Sequence, residues 1–274
     1  GQSVVITKEL PLPKSLLEKF PSSVKLICEA GTGYNNIDLP TATSKGISVC
    51  NVPGYSTEAV AQLAITFILS FSCSLIQQQK MIERKNYANF TDYLQVPHFE
   101  LQDKTLGLIG TGAIGKEVMK IARALGMTIL TYSRTPKNFN DPKITSVSLE
   151  DMLKGSDFVS IHCPLTDATK HLMDMDKLKL MKPTAYIINT SRGAIIKETD
   201  LIKALQENII AGAGLDVQDP EPPSLDNPLL TMDNVILTPH IGWKRLETRQ
   251  RLVQLLSDNI QAFIKGNPLN IVNS

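Results

Sequence analysis

The chain has 274 residues, 42% of them apolar and 20% charged, a length and balance that predict two compact units and exclude a disordered or fibrous protein. Its 28 basic and 27 acidic residues leave a formal net charge of +1, which excludes a global positive field for nucleic acid or an anionic membrane and leaves a small molecule as the expected partner. Cys28, Cys50, Cys73 and Cys163 lie far apart in apolar stretches with no CxxC pair, so reduced, buried thiols, no metal site and a cytoplasmic location are expected.

In chain order, short β-branched runs alternate with amphipathic helical patterns. The first group is SVVIT (Ser3 to Thr7), a helix near Lys14 to Phe20, and KLICEA (Lys25 to Ala30). Ala59 to Gln79 carries no charge, but recurring Gln and Ser residues make it a buried helix rather than a membrane span. LGLIG (Leu106 to Gly110), a helix from Ala113 to Leu125 and MTILTY (Met127 to Tyr132) follow. DFVSIH (Asp157 to His162), AYIIN (Ala185 to Asn189), IAGAGLDV (Ile210 to Val217) and NVILT (Asn234 to Thr238) continue the strands. A last helix, from about Arg245 to Ile264, ends at a Gly and Pro stop signal. Near-continuous apolar strands require a sheet covered by helices on both faces, so the fold class is α/β.

Gly110-Thr111-Gly112-Ala113-Ile114-Gly115 stands between a strand and a helix. In that setting the glycines let backbone approach a pyrophosphate while the helix N-terminus offers unpaired N–H groups, which predicts dinucleotide binding. An NAD-preferring site usually ends its second strand in Asp or Glu. Here that strand ends Ser133-Arg134-Thr135, a hydroxyl followed by a guanidinium that suits a 2′-phosphate, so NADP(H) is favoured, with NAD as the alternative.

Three segments put polar groups where such strands end: Asn189 to Gly193, Asp216 to Pro222 and Thr238 to Trp243. Reducing a 2-keto acid needs a cation for the substrate, an acid for the developing alkoxide and a group that keeps the acid protonated. Arg192, His240 and Glu221 supply one of each, with Pro220, Pro222 and Pro239 stiffening the backbone around them. His98, His162 and His171 lack such a setting and are read as structural or surface residues, with His162 beside the cofactor at most.

These motifs, in this order, resemble the D-isomer-specific 2-hydroxyacid dehydrogenase family over nearly the whole chain. The likeness includes Ala30 to Asp38, Asn51 to Thr57, the dinucleotide turn, His162 to Thr166 and the three polar segments. It implies that Arg192 binds and polarises the substrate, that His240 is the general acid/base, and that Glu221 hydrogen-bonds that His and favours its imidazolium form. It further implies substrate-carboxylate contacts at Thr32 and Gly33, a nicotinamide contact at Asp216, and cofactor contacts at Cys163, Pro164 and Thr190. The expected architecture is a Rossmann dinucleotide-binding domain (77–248) inserted in a smaller flavodoxin-like substrate domain (1–76 and 249–274), with the active site in the cleft and a homodimer through the cofactor domain. Within the family, the stretch from Thr238 to Arg251 and the run Asn267 to Asn273 look most like the glycerate dehydrogenase and hydroxypyruvate or glyoxylate reductase branch. The rival readings are a relative acting on D-lactate, 3-phosphoglycerate or phosphite, and a NAD(P)-sensing corepressor-like binding protein. Family members begin with a further strand, helix and strand ahead of the stretch matching SVVIT, and the chain opens without Met, so an N-terminally truncated chain is expected.

Overall fold

Strands that are apolar on both faces are stable only between two layers of cover, and the computed structural model, which describes residues 1–273, places them in two parallel sheets. In chain order the elements are β1 (Val4–Thr7), α1 (Lys14–Leu17), β2 (Leu26–Glu29), α2 (Leu39–Ser44), β3 (Ser48–Cys50), α3 (Thr57–Ser72), α4 (Leu75–Glu83) and α5 (Ala88–Thr91). Then come β4 (Thr105–Ile109), α6 (Ala113–Ala124), β5 (Thr128–Tyr132), β6 (Ile144–Ser146), α7 (Leu149–Gly155), β7 (Phe158–Ile161), α8 (Met175–Leu178) and β8 (Tyr186–Asn189). The chain closes with α9 (Glu198–Gln206), β9 (Gly212–Leu215), β10 (Val235–Leu237) and α10 (Leu246–Ile264).

These elements form two compact units. The smaller comprises Gly1–Ser56 with the chain from Trp243 on, and the larger is Thr57–Gly242. In the smaller unit β1, β2 and β3 lie parallel in that order. Ile27 and Val49 point into one apolar layer with Leu17 and Ile47, while Leu26, Cys28 and Cys50 face Leu256, Ile260 and Phe263 of α10. In the larger unit seven parallel strands run β10-β9-β8-β7-β4-β5-β6, the order of a Rossmann sheet with its switch point between β4 and β7. Helices cover both faces: Val118 and Ala122 of α6 and Phe67 and Phe71 of α3 on one side, Met152, Leu201 and Leu205 on the other.

The units divide at 56/57 and 242/243 instead of the expected 76/77 and 248/249. The cause is packing. Phe71 of α3 stacks on Tyr186 of β8 at 4.6 Å, and Phe67 lies against Gly214 of β9, so α3 belongs with the larger sheet. Trp243 joins Ala30, Val52 and Tyr55, which carries the following residues into the smaller unit.

The uncharged stretch is also two helices rather than one. Ser74 takes a left-handed φ of 49° and donates its hydroxyl to the carbonyl of Pro97, bending α4 by 59° from α3. Among the described residues no single helix is long and apolar enough to cross a membrane. Cys28 and Cys50 are buried as expected, whereas Cys73 and Cys163 keep intermediate exposure because each sits at the end of an element, where cover is incomplete.

Candidate active site

The larger sheet presents its functional groups at the carboxyl ends of its strands, beginning with the turn after β4. Gly110 adopts a left-handed φ of 96°, and a Cβ there would lie 2.9 Å from the backbone of His162 and Cys163 after β7. Gly115 faces the carbonyl of Gly110 so closely that its Cβ would stand 2.3 Å from that oxygen. These two glycines therefore let the turn, α6 and the β7 loop close on one another at the switch point. Gly112 differs, because a Cβ at this position would meet nothing within 4 Å. It is the N-cap of α6 without a side-chain cap, so the first backbone N–H groups of the helix are left unpaired at an end where Gly112 and Ala113 are exposed.

At the carboxyl ends of β4, β7 and β8 stand buried polar atoms without a partner: Thr111 Oγ1, His162 Nδ1 and Thr190 Oγ1. Buried polar groups are normally paired, so three orphans along the strand ends that also carry the uncapped start of α6 fit a dinucleotide. His162, read from sequence as structural or surface and beside the cofactor at most, has its Nε2 2.9 Å from Ser160 Oγ, and burial pushes the imidazole down to about 4. Cys163 and Pro164 follow it, and burial raises the Cys163 thiol to about 11. After β5, Ser133 Oγ donates to the Thr135 carbonyl at 2.7 Å, while Arg134 and Thr135 are exposed. Lys137, which sequence reasoning passed over, donates to the Thr111 carbonyl at 2.9 Å and brings a second cation to this side of the turn.

Arg192, Glu221 and His240 come together on three loops of the same unit. His240 Nδ1 lies 2.8 Å from Glu221 Oε2, and the N–H of Gln218 donates to Glu221 Oε1 at 2.9 Å. Burial alone would raise the Glu221 carboxyl, but the bonds from His240 and Gln218 and the charges of His240 and Arg192 outweigh it and hold the group below the ordinary carboxylate range. Glu221 therefore stays ionised against the ring. With Nδ1 engaged, Nε2 is the nitrogen of His240 left for a ligand. Arg192 sits in a turn that Asn189 grips, its Nδ2 donating to the Arg192 carbonyl at 2.8 Å and its Oδ1 accepting from the Ser191 N–H at 3.0 Å. Gly193 presses on the opposite loop, where a Cβ would stand 2.1 Å from the Gln218 carbonyl.

The His240 loop is fixed by Asp216. His240 takes a left-handed φ of 50° and donates its N–H to the Asp216 carbonyl at 2.9 Å. The Asp216 carboxylate, 2% exposed, accepts from Thr238 Oγ1 at 2.6 Å, Ile241 N at 2.8 Å and Gly242 N at 2.9 Å. Three donors on one carboxylate make it a clamp on the loop. Thr238 and Asn189 open two of the polar segments expected at the strand ends, but their roles as partners of Asp216 and of the Arg192 turn emerge only from the structure.

Thr32 and Gly33 belong to the smaller unit, on the turn after β2. Thr32 Oγ1 donates to the Val52 carbonyl at 3.1 Å and the Thr32 carbonyl accepts from Asn51 Nδ2 at 2.7 Å, which fixes the turn from the β3 side.

The sequence model of the D-isomer specific 2-hydroxyacid dehydrogenase NAD binding domain matches residues 65–242. A hydroxypyruvate reductase of Blautia hydrogenotrophica is 38% identical over 274 residues, spanning 98% of this chain and 84% of its own. A glyoxylate reductase of Thermococcus litoralis is 42% identical over 266 residues, spanning 95% of this chain and 80% of its own. Among solved structures, an NADPH-dependent glyoxylate/hydroxypyruvate reductase of Sinorhizobium meliloti, in complex with NADP and malonate, superposes with a TM-score of 0.88 at 31% identity, covering 98% of this chain and 83% of its own. The larger unit is thus a domain for a nicotinamide dinucleotide, and the chain belongs to the D-isomer specific 2-hydroxyacid dehydrogenase family.

Proposed function

We propose that the protein is an NADP(H)-dependent reductase of hydroxypyruvate and glyoxylate, producing the D-2-hydroxy acid. The observation that carries this reading is the 2.8 Å contact between His240 Nδ1 and an ionised Glu221, set at the strand ends of a dinucleotide-binding sheet. His240 Nε2 delivers a proton to the keto oxygen of the substrate, and Glu221 stabilises the imidazolium from which it comes. Arg192 takes the substrate carboxylate and draws charge toward the carbonyl. Gly110 to Gly115, Cys163, Pro164 and Thr190 hold the cofactor, whose nicotinamide supplies the hydride.

Preference for NADP(H) over NAD(H) rests on Ser133 and Arg134, with Lys137 adding charge beside them. The named relatives with glyoxylate or hydroxypyruvate as substrate support the substrate class. A reducing cytoplasmic setting agrees with Cys28 and Cys50, free thiols whose sulfurs lie 3.3 Å apart. Assembly as a homodimer through the larger unit agrees with Phe90 and Tyr93, 74% and 90% exposed beyond α4.

Oxidation of NADPH and NADH, followed by absorbance with glyoxylate, hydroxypyruvate and pyruvate, tests activity, cofactor and substrate together. Arg192→Ala and His240→Ala are expected to lose nearly all turnover while binding NADPH as the native protein does. Native turnover in either variant would remove that residue from the mechanism.

A further inference from the structure

Two sulfurs within the smaller unit stand in a relation that the proposed reaction does not use. Cys28 and Cys50 are directly paired residues of the neighbouring parallel strands β2 and β3, on the same face of the sheet. Adjacent strands lie about 4.8 Å apart, inside the Cα separation that a disulfide accepts. Their sulfurs are already 3.3 Å apart, so a bond needs a closure of only about 1.3 Å, within reach of small side-chain rotations. Leu256, Ile260 and Phe263 of α10 cover the pair, which is 0% and 1% exposed. Cys50 nevertheless departs from an inert buried thiol, because hydrogen bonds from Cys28 and Asn259 outweigh burial and hold it below the ordinary thiol range. Asn259 is itself fixed, donating to the Asn51 carbonyl at 2.8 Å and accepting from Asn270 Nδ2 at 2.8 Å.

We infer that Cys28 and Cys50 form a reversible modification site, which a hydroperoxide oxidises to an intramolecular disulfide. The Cys50 thiolate attacks one oxygen of hydrogen peroxide: an S–O bond forms, the O–O bond breaks, and the departing hydroxide takes up the proton that Cys50 gave away. The sulfur of Cys28 then attacks the Cys50 sulfenic acid. The S–S bond forms, the S–O bond breaks, and the second hydroxide leaves as water with the proton of Cys28. Two thiols have lost two electrons and two protons, and the peroxide has become two waters. Cys28 is in place to resolve the sulfenic acid without any shift of either strand. Peroxide is scarcely larger than water, and the cover beside β3 is short: Asn51 N bonds the Asn270 carbonyl and Cys50 pairs with Ile271, a ladder whose local opening admits it. Small thiols return the disulfide to the open pair, the behaviour of redox-sensing cysteines in reducing compartments. Asn51, next to Cys50, donates its Nδ2 to the Thr32 carbonyl at 2.7 Å, so closure also ties down the base of the turn after β2.

The test treats dilute native protein with hydrogen peroxide, then unfolds it with an alkylating reagent present and maps the peptides by mass spectrometry. A linked peptide pair containing Cys28 and Cys50 is expected, in an intact chain lighter by two hydrogens, with both thiols restored by dithiothreitol. Because the bond closes a loop between residues 22 apart, the oxidised protein should melt about 5–10 °C higher, a shift absent from treated Cys28→Ala and Cys50→Ala. Dimedone separates the two sulfurs: Cys28→Ala accumulates a trapped sulfenic acid at Cys50, while Cys50→Ala leaves Cys28 unlabelled. Peptide mapping on native protein needs no variant, so the inference stays open to refutation even if a substitution prevents folding. Peroxide that modifies Cys73 or Cys163 while Cys28 and Cys50 are alkylated as free thiols would overturn it. So would a Cys28–Cys50 link that forms only in denaturant, since the strand pairing would then contribute nothing. Neither readout depends on reductase turnover.

Discussion

Replacing Asp216 with Asn tests whether His240 works only because its loop is clamped. In the native protein one carboxylate oxygen accepts from Thr238 Oγ1 and Ile241 N, and the other accepts from Gly242 N at 2.9 Å. An amide keeps an acceptor on one side only, so its NH2 must face either the Gly242 N–H or the Ile241 N–H, donor against donor, in a site 2% exposed. The loss of one charge-assisted bond, with a buried N–H left unpaired, is worth about 2–4 kcal/mol. His240 holds a left-handed backbone, a conformation that costs a non-glycine residue about 1–3 kcal/mol, so the released loop has a lower alternative to relax into. At about 1.4 kcal/mol per factor of ten, kcat should fall about thirty- to thousandfold with hydroxypyruvate or glyoxylate. Steady-state kinetics read this loss, and fluorescence titration of NADPH should show a Kd within about threefold of native if, as proposed, the phosphates are held at the start of α6. Native kcat in Asp216→Asn would refute the clamp. So would a large rise in the NADPH Kd with kcat intact, which would mark Asp216 as a nicotinamide contact and not a clamp.

Three further outcomes follow from the geometry. Gly193→Ala would drive a Cβ to 2.1 Å from the Gln218 carbonyl, backbone that cannot swing aside; it should lower stability by about 1–3 kcal/mol or more in a melt and reduce kcat/KM by displacing the loop that carries Glu221. Ser133→Asp should lower the NADPH-to-NADH ratio of kcat/KM at least about a hundredfold, since a carboxylate there repels a 2′-phosphate and binds the ribose hydroxyls; a ratio that holds would place the phosphate elsewhere. His162, with its imidazole pushed down to about 4, stays neutral when folded but takes up a proton near its ordinary value of 6.5 when unfolded. Stability tied to it is therefore complete above pH 6.5 and lost as pH falls toward 4, by about 3 kcal/mol. Denaturant melts across that window should show native protein and His162→Gln converging in stability as pH drops; parallel curves would mean that His162 is protonated in the fold.

Where a function resides in consecutive residues, sequence displays it. The turn from Gly110 to Gly115 is recognisable because a tight turn, a close helix and an exposed helix N-terminus each require glycine at a fixed spacing, and the strand and helix on either side have their own periodicities. Arg192, Glu221 and His240 were legible for a related reason, since each is a chemically distinctive group at the end of an apolar run. What sequence does not display is how such ends are tied together. The bond from Gly242 to Asp216 joins residues 26 apart, and the left-handed φ of His240 falls on a residue type that gives no hint of it. β3 and β6, each three residues long, are too short for alternation to register and exist because a neighbouring strand offers them a ladder. The uncharged run from Ala59 reads as one helix because composition is uniform through it, while the break depends on Ser74 finding the Pro97 carbonyl 23 residues away. Lys137 belongs to the same class. As a letter it is a surface lysine, and it acquires meaning only from a carbonyl brought under the ammonium by distant chain. The residues proposed to perform the chemistry can therefore be read one segment at a time, whereas the contacts that hold and orient them depend on neighbours that the fold supplies.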